Sequence, residues 1–334
     1  MSFGLEKSWV RRFFEALEQA PDDQVESVVL AHCAPQHHSY LSFPFRHLDT
    51  PSAFANEFWQ PFKQSFSALQ RREDIFFAGR NASDDRVWVV SMGHYMGLFD
   101  RPWLGIPHTR RTTMVRYAEF HQVENEQIMQ SGLFVDLISV MRQAGFDPLP
   151  QETGHSFVYP GPRTHDGVLL DDQDPAESTR TAALIDRMVD DLNELNISGN
   201  DQCPPELLAR TWHDDMAWYG PAGIGATHTI ERYQEQHQYP FRQGLKNKAF
   251  HGHVARIAEG NYAGFFGWPN LSNSPAGFLG TRESDQIVEM QVVDIYRRDG
   301  EKLAENWIII DFPYWLSQLG IDVFDCLAAG QEHA

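Results

Sequence analysis

The sequence is poor in cysteine: Cys33, Cys203 and Cys326 are the only three in 334 residues, and they lie far apart. An odd number at such spacing cannot build a disulfide framework, and no Cys-x-x-Cys pair offers a metal-ligand set. Long hydrophobic runs are missing too. No uninterrupted apolar stretch approaches the roughly 18 residues of a membrane span, and the opening MSFGLEKSWVRRFFEALEQA carries charges within its apolar part, so neither a span nor a signal peptide is expected. Basic charge is scarce, with 27 Lys and Arg against 46 Asp and Glu, a net charge of −19, and no Lys/Arg cluster. Phosphate backbones and anionic lipid both reward such clusters, so nucleic acid and membrane are not expected partners. A reducing, cytoplasmic setting is the expectation.

What is present is a folding chain. Hydrophobic residues make up 42%, and nine Trp and 23 Phe are spread over the whole length, a density of aromatics that disordered chains do not carry. The length corresponds to about two domains of roughly 150 residues. Residues 148–179, rich in Pro, Gly, Asp and Thr, hold neither a helical nor a strand period and read as a linker. The expected division is therefore a first repeat over 1–150, a linker over 151–179 and a second repeat over 180–334. Acidity is uneven, with a net −5 through residue 167 and −14 after it.

On either side of the linker the elements recur in order. Helices are expected over Trp9–Ala20 and Thr181–Leu195, second helices ending near His32 and His213, and strands over Arg86–Met92 and Asn261–Phe266. Residues 111–147 align with 286–322 without a gap at an offset of 175. Glu126/Glu301, Asp136/Asp311, Gln143/Gln318, Gly145/Gly320 and Asp147/Asp322 are identical, and Glu119/Asp294 and Glu124/Asp299 keep their charge. Within this window a strand, a two-residue turn at Asp299-Gly300 (Glu124-Asn125 in the first copy), a returning strand and a short helix stopped by glycine are expected. Helices followed by an antiparallel meander make an α+β fold, since parallel strands would need intervening helices.

The segments Ala276–Gly280, Val293–Arg297, Asp299–Leu303, Glu305-Asn-Trp307, Asp311 and Leu316–Gly320 resemble the C-terminal half of SnoaL-like polyketide cyclases, members of the NTF2-like superfamily. Gly105-Ile-Pro107, Thr109, Arg111, Asp136, Gln143 and Gly145 are similar but further diverged. The resemblance implies two tandem cone-shaped α+β barrels forming a covalent pseudo-dimer. It also implies a small, oxygenated, largely apolar ligand and acid/base chemistry of cyclase, isomerase or dehydratase type, with no cofactor and no metal. The family's general acid/base aspartate matches Asp311, four residues after Trp307, and Asp136 in the first repeat. Gly132 and Gln130 depart from that pattern in the first repeat, where the second has Trp307 and Glu305.

Alternation places Glu305, Trp307, Ile309 and Asp311 on one strand face, where an apolar wall would raise the acid's pKa. Asp311 before Phe312-Pro313 is equally a helix N-cap, and Asp136 has the same second explanation. Among fifteen histidines, His94 continues the apolar alternation of Trp88, Val90 and Met92, and His253 shares a predicted strand face with His251. Either could polarise a ligand carbonyl; a buried structural histidine is the plainer account. Tyr40, Tyr95, Trp218 and Tyr219 complete the candidate ligand wall. A non-enzymatic ligand-binding or scaffolding module is the alternative to an enzyme.

Overall fold

A computed structural model describes residues 2–156, 158–198 and 203–331. The chain divides into two compact units, Met1–Pro148 with Pro160–Asp172 and Asp322–Ala334, and Leu149–Tyr159 with Gln173–Ile321. Each is α+β, with helices first and a mostly antiparallel sheet after them.

The strands of the first unit are β1 (Cys33–Leu41), β2 (His47–Leu48), β3 (Phe66–Arg80), β4 (Val87–Phe99), β5 (Thr112–Glu124) and β6 (Gln127–Val135), in the order β2-β1-β6-β5-β4-β3. Those of the second are β7 (Trp212–Tyr219), β8 (Ala226–His228), β9 (Leu245–Phe250), β10 (Ala255–Glu259), β11 (Tyr262–Pro275), β12 (Val288–Asp299) and β13 (Lys302–Ile310), in the order β10-β11-β12-β13-β7-β8, with β9 also on β11. In both, the first long strand lies parallel to the last, β1 on β6 and β7 on β13. The opening helix Gly4–Gln19 buries Val10, Phe13, Phe14 and Leu17, the spacing of a single helical face, against the first sheet.

Three of the five identical pairs of the repeat keep identical work. Asp136 accepts from the Ser139 N–H and Asp311 from the Tyr314 N–H, both at 3.2 Å. Gln143 clamps the backbone of Met114 at 2.9 and 2.8 Å, and Gln318 clamps that of Glu289 at 2.8 and 2.8 Å. Gly145 and Gly320 stop their helices at φ +90° and +75°, a conformation that side chains resist. A second correspondence, at an offset of 179, covers the earlier elements. Thr50 and Thr229 cap helical runs, and each run contains a wide turn, Phe54–Trp59 or Gln234–Gln238, just before Pro61 or Pro240. Proline has no N–H to return to the carbonyl four residues back, and a widened turn accommodates that loss.

Several boundaries differ from the sequence expectation. The hairpin loops are Asn125-Glu126 and Gly300-Glu301, one residue later than expected, closed by the pairs Glu124–Gln127 and Asp299–Lys302. His213 lies in β7, because the helix from Pro205 ends at Leu208. Gly93 lies in the middle of β4, where a Cβ would meet the Arg72 carbonyl at 1.9 Å, so the glycine makes room for a bulge in β3. The linker sequence is partly ordered onto sheet edges. His155 bridges Ala226 on the edge strand β8, and Val168 bridges Phe76 on the edge strand β3. Both contacts occupy backbone groups that an edge leaves open.

Because the two aspartates cap helices from buried positions, Asp136→Ala and Asp311→Ala are each expected to destabilise by about 1–2 kcal/mol, while Asn, an equally good cap, costs much less. Urea unfolding of the four variants checks this. Equal losses for Ala and Asn would assign the effect to charge instead.

Candidate functional site

In the first unit, alternate residues of β5 place Tyr117, Glu119 and His121 on the face covered by the helices, where Phe13 and Phe14 lie against His121. Glu119 is fully buried. Arg71 Nη1 reaches its Oε1 at 2.8 Å, the Tyr95 hydroxyl donates to the same oxygen, and His121 Nε2 lies 2.9 Å from Oε2. The Ser131 hydroxyl joins His121 at 2.9 Å to His37 at 3.0 Å. Arg71 is itself held over the Phe14 ring, 3.5 Å from its centroid, and 4.9 Å from those of Tyr95 and Tyr117. Burial alone would push the Glu119 carboxyl up, but the Arg71 guanidinium and the His121 ring outweigh it and hold the group below the usual carboxylate range. A narrow cleft of only about 20 Å³, lined in part by Phe14, Trp59, Lys63, Arg71 and Tyr95, opens beside this network.

Glu119 corresponds to Asp294 in the second unit, His121 to Tyr296 and Ser131 to Asn306. Asp294 is 6% exposed. Its Oδ1 accepts from Asn306 Nδ2 at 3.1 Å, and the Tyr296 hydroxyl also bonds to the carboxylate. Burial, and after it the nearby Asp294 charge, pushes the Tyr233 hydroxyl above its usual pKa. Phe265 lies directly opposite Asp294 in the sheet, and its ring centroid is 4.0 Å from that of His253. Trp218 stacks on His237 at 4.2 Å and packs against Tyr233 at 5.5 Å. Among the described residues no ion pair reaches Asp294. Burial therefore prevails over the hydrogen bonds from Asn306 and Tyr296, and the carboxyl is pushed up to about 7.

The counter-charge is missing because strand pairing puts Phe250, the last residue of β9, where the first unit has Arg71. Arg71 rides on the continuous edge strand β3, whereas the second sheet fills that place with two strands, β9 and β10. Gly252, at φ +104°, sits in the break between them, and His253 follows it. Burial, with Arg256 nearby, lowers the His253 pKa to about 3, so this imidazole is neutral near pH 7. The expectation that His251 and His253 share a strand face fails because both lie in that break.

The residues singled out in the sequence are divided between the two faces. Tyr95 is part of the Glu119 network, and Trp218 and His253 lie on the Asp294 side. Trp307 and Glu305 alternate with Asn306 and so face the other way: Trp307 stacks on Tyr219 at 5.4 Å, and Glu305 Oε2 pairs with Arg297 Nε at 2.5 Å. His94 alternates with Tyr95 and lies 3.6 Å from Asp74, and Tyr40 packs on His47 at 5.0 Å. Asp311 lies past the end of β13, and both it and Asp136 turn an oxygen to a helix start. Arg71, Glu119, His121, Asp294 and Tyr296 were not among the candidates. Their one visible signal was the charge kept between Glu119 and Asp294.

No family model and no curated protein matches the sequence. Solved structures do resemble it. A SnoaL-like polyketide cyclase from Jannaschia sp. CCS1, described as putative, is 20% identical, covers 40% of this chain and 87% of its own, and has a TM-score of 0.32. IdmH, a putative polyketide cyclase from Streptomyces antibioticus, is 18% identical over 35% of this chain and 86% of its own, at TM-score 0.29. An NTF2-like protein from Burkholderia thailandensis E264 is 18% identical over 43% and 98%, at TM-score 0.31. The SnoaL-like and NTF2-like resemblance read from the sequence recurs in these structures.

Asp294 makes stability depend on pH with a defined sign. The folded group keeps its proton up to about pH 7, the unfolded one only to about pH 4. Between those values the folded state holds the extra proton, so its contribution is complete at low pH and is lost as pH rises. About three pKa units set an upper bound of roughly 4 kcal/mol. Asp294→Asn is expected to raise the Tm near pH 8 and leave it almost unchanged near pH 4. A Tm difference independent of pH would contradict the assignment.

Proposed function

We propose that the second unit binds a small, oxygenated, largely apolar molecule and performs acid/base chemistry on it without a cofactor, in the manner of the cyclases, isomerases and dehydratases that its sequence resembles. The observation that supports this reading is Asp294: a buried carboxyl with neutral hydrogen-bond partners, poised near pH 7 among aromatic rings. A group titrating there can both accept and return a proton at neutral pH. Asn306 holds one oxygen at 3.1 Å and so aims the other. The Tyr233 hydroxyl is placed to donate to an oxygen that gains negative charge, and Trp218 and Phe265 keep water away. Asp294 takes the role that the resemblance gives to Asp311, whose Oδ1 is engaged at the helix start.

The first unit supports a second reading for its own half. Glu119 is matched on both oxygens by Arg71, Tyr95 and His121, which leaves it no proton to exchange near neutrality. That half acts as a binding or scaffolding module, as the non-enzymatic alternative has it. The reading includes a cytoplasmic setting and the pairing of the two repeats as a pseudo-dimer.

The test is proton exchange. Incubated in D₂O with a panel of cyclic and aryl ketones, the protein is expected to catalyse α-deuteration of at least one member, followed by NMR. Asp294→Asn should slow this by about a hundredfold or more, while Asp311→Asn keeps the parent rate. Exchange that survives Asp294→Asn would refute the assignment. A panel that neither exchanges nor shifts the Tm would favour the module reading for both halves.

A further inference from the structure

We propose that a groove on the side of the second unit is a binding site for an oxyanion, the phosphate or carboxylate end of a small molecule, gripped by Arg232, His228 and His155. The groove, about 470 Å³, runs between the edge strand β8, the helical run from Ile230 to Gln238 and the segment 153–155. It is separate from the Asp294 site and does not depend on the reading given to that site.

The walls are fixed before any ligand arrives. The Ala226 N–H donates to the His155 carbonyl at 2.6 Å and the His155 N–H returns to Ala226 at 3.2 Å. On the other side the Thr153 hydroxyl donates at 3.2 Å to the Gln236 carbonyl, the one that Pro240, having no N–H, cannot bond. The groove's lining includes an arginine, two histidines, two threonines and a glutamine, and no carboxylate. Glu231 and Glu235, on the same helical run, are exposed and outside the lining. Among the described residues, the Arg232 guanidinium and the His228 imidazole have no hydrogen bond or ion pair. Thr227, 2% exposed, has a buried hydroxyl without a partner in the same wall.

These donors select the ligand's chemistry. A guanidinium fork matches two oxygens of a carboxylate or phosphate, and imidazole N–H groups and hydroxyls add further donors around the same oxygens. In a chain of net charge −19 the overall field repels anions, so an anion stays only where local donors outweigh that field.

The experiment follows the imidazole Cε1–Hε1 resonances of the full chain during titration with inorganic phosphate, phenyl phosphate and benzoate. Saturable shifts of His155 and His228 are expected, with affinity reduced at least about tenfold in Arg232→Gln, through loss of the charged fork, and partly retained in Arg232→Lys. Arg232 is exposed, so these variants should fold as the parent does. Saturation by the phosphates alone would mark a phosphate site, and by benzoate alone a carboxylate site. Shifts no larger than those of His213, or an unchanged affinity in Arg232→Gln, would overturn the proposal.

Discussion

At matching positions of β5 and β12 each sheet buries an acidic side chain, Glu119 or Asp294, on its helix-covered face. A carboxylate in that position must be matched by a cation or must take up a proton, because an isolated buried charge is among the most costly features a fold can hold. The first unit uses the cation. Arg71 can serve only because a fifteen-residue edge strand carries it to Glu119 and the Phe14 ring supports its flat face. The second unit uses the proton. The place of the arginine is taken by Phe250 at the end of β9, before the break at Gly252, and Asp294 is left among amide and phenol groups. The presence or absence of one arginine thus separates a locked carboxylate from a titratable one.

Around that difference the two units are the same construction. The caps, the glutamine clamps and the glycine stops recur 175 residues apart, and the capped, proline-bearing helical runs recur 179 residues apart. The change of offset means that the copies differ by four residues between the helical runs and the last hairpin, the stretch that holds the broken edge. Most of the side chains that the copies share serve backbone geometry, and the neutralisation of the buried acid is not among the shared features.

Much of the frame could be read in the sequence. Capping aspartates, stop glycines and a hairpin leave local signals, because each answers a backbone requirement within a few residues. The candidate site was harder. Alternation correctly put Glu305 and Trp307 on one face, but periodicity cannot say which face the helices cover, and they cover the other. Arg71 and Glu119 are 48 residues apart and meet only through strand pairing, so no local pattern joins them. The conserved charge of Glu119 and Asp294 was visible, yet without the strand register it could not be told from a solvated pair.

The proton on Asp294 has an energetic meaning that bears on its purpose. The acidic excess of the second half is no sufficient cause of the raised pKa, since exposed charges are screened over about 8–10 Å at ordinary salt, and burial is the leading cause here. A fold gains nothing from this burial at neutral pH. Up to roughly 4 kcal/mol is at stake, a large part of the 5–15 kcal/mol by which a domain is stable. Asparagine at this place would avoid the penalty, and so would an arginine partner of the kind the first unit retains. A position that keeps an acid, keeps it buried and forgoes the counter-charge its own twin possesses is better explained by proton transfer than by stability.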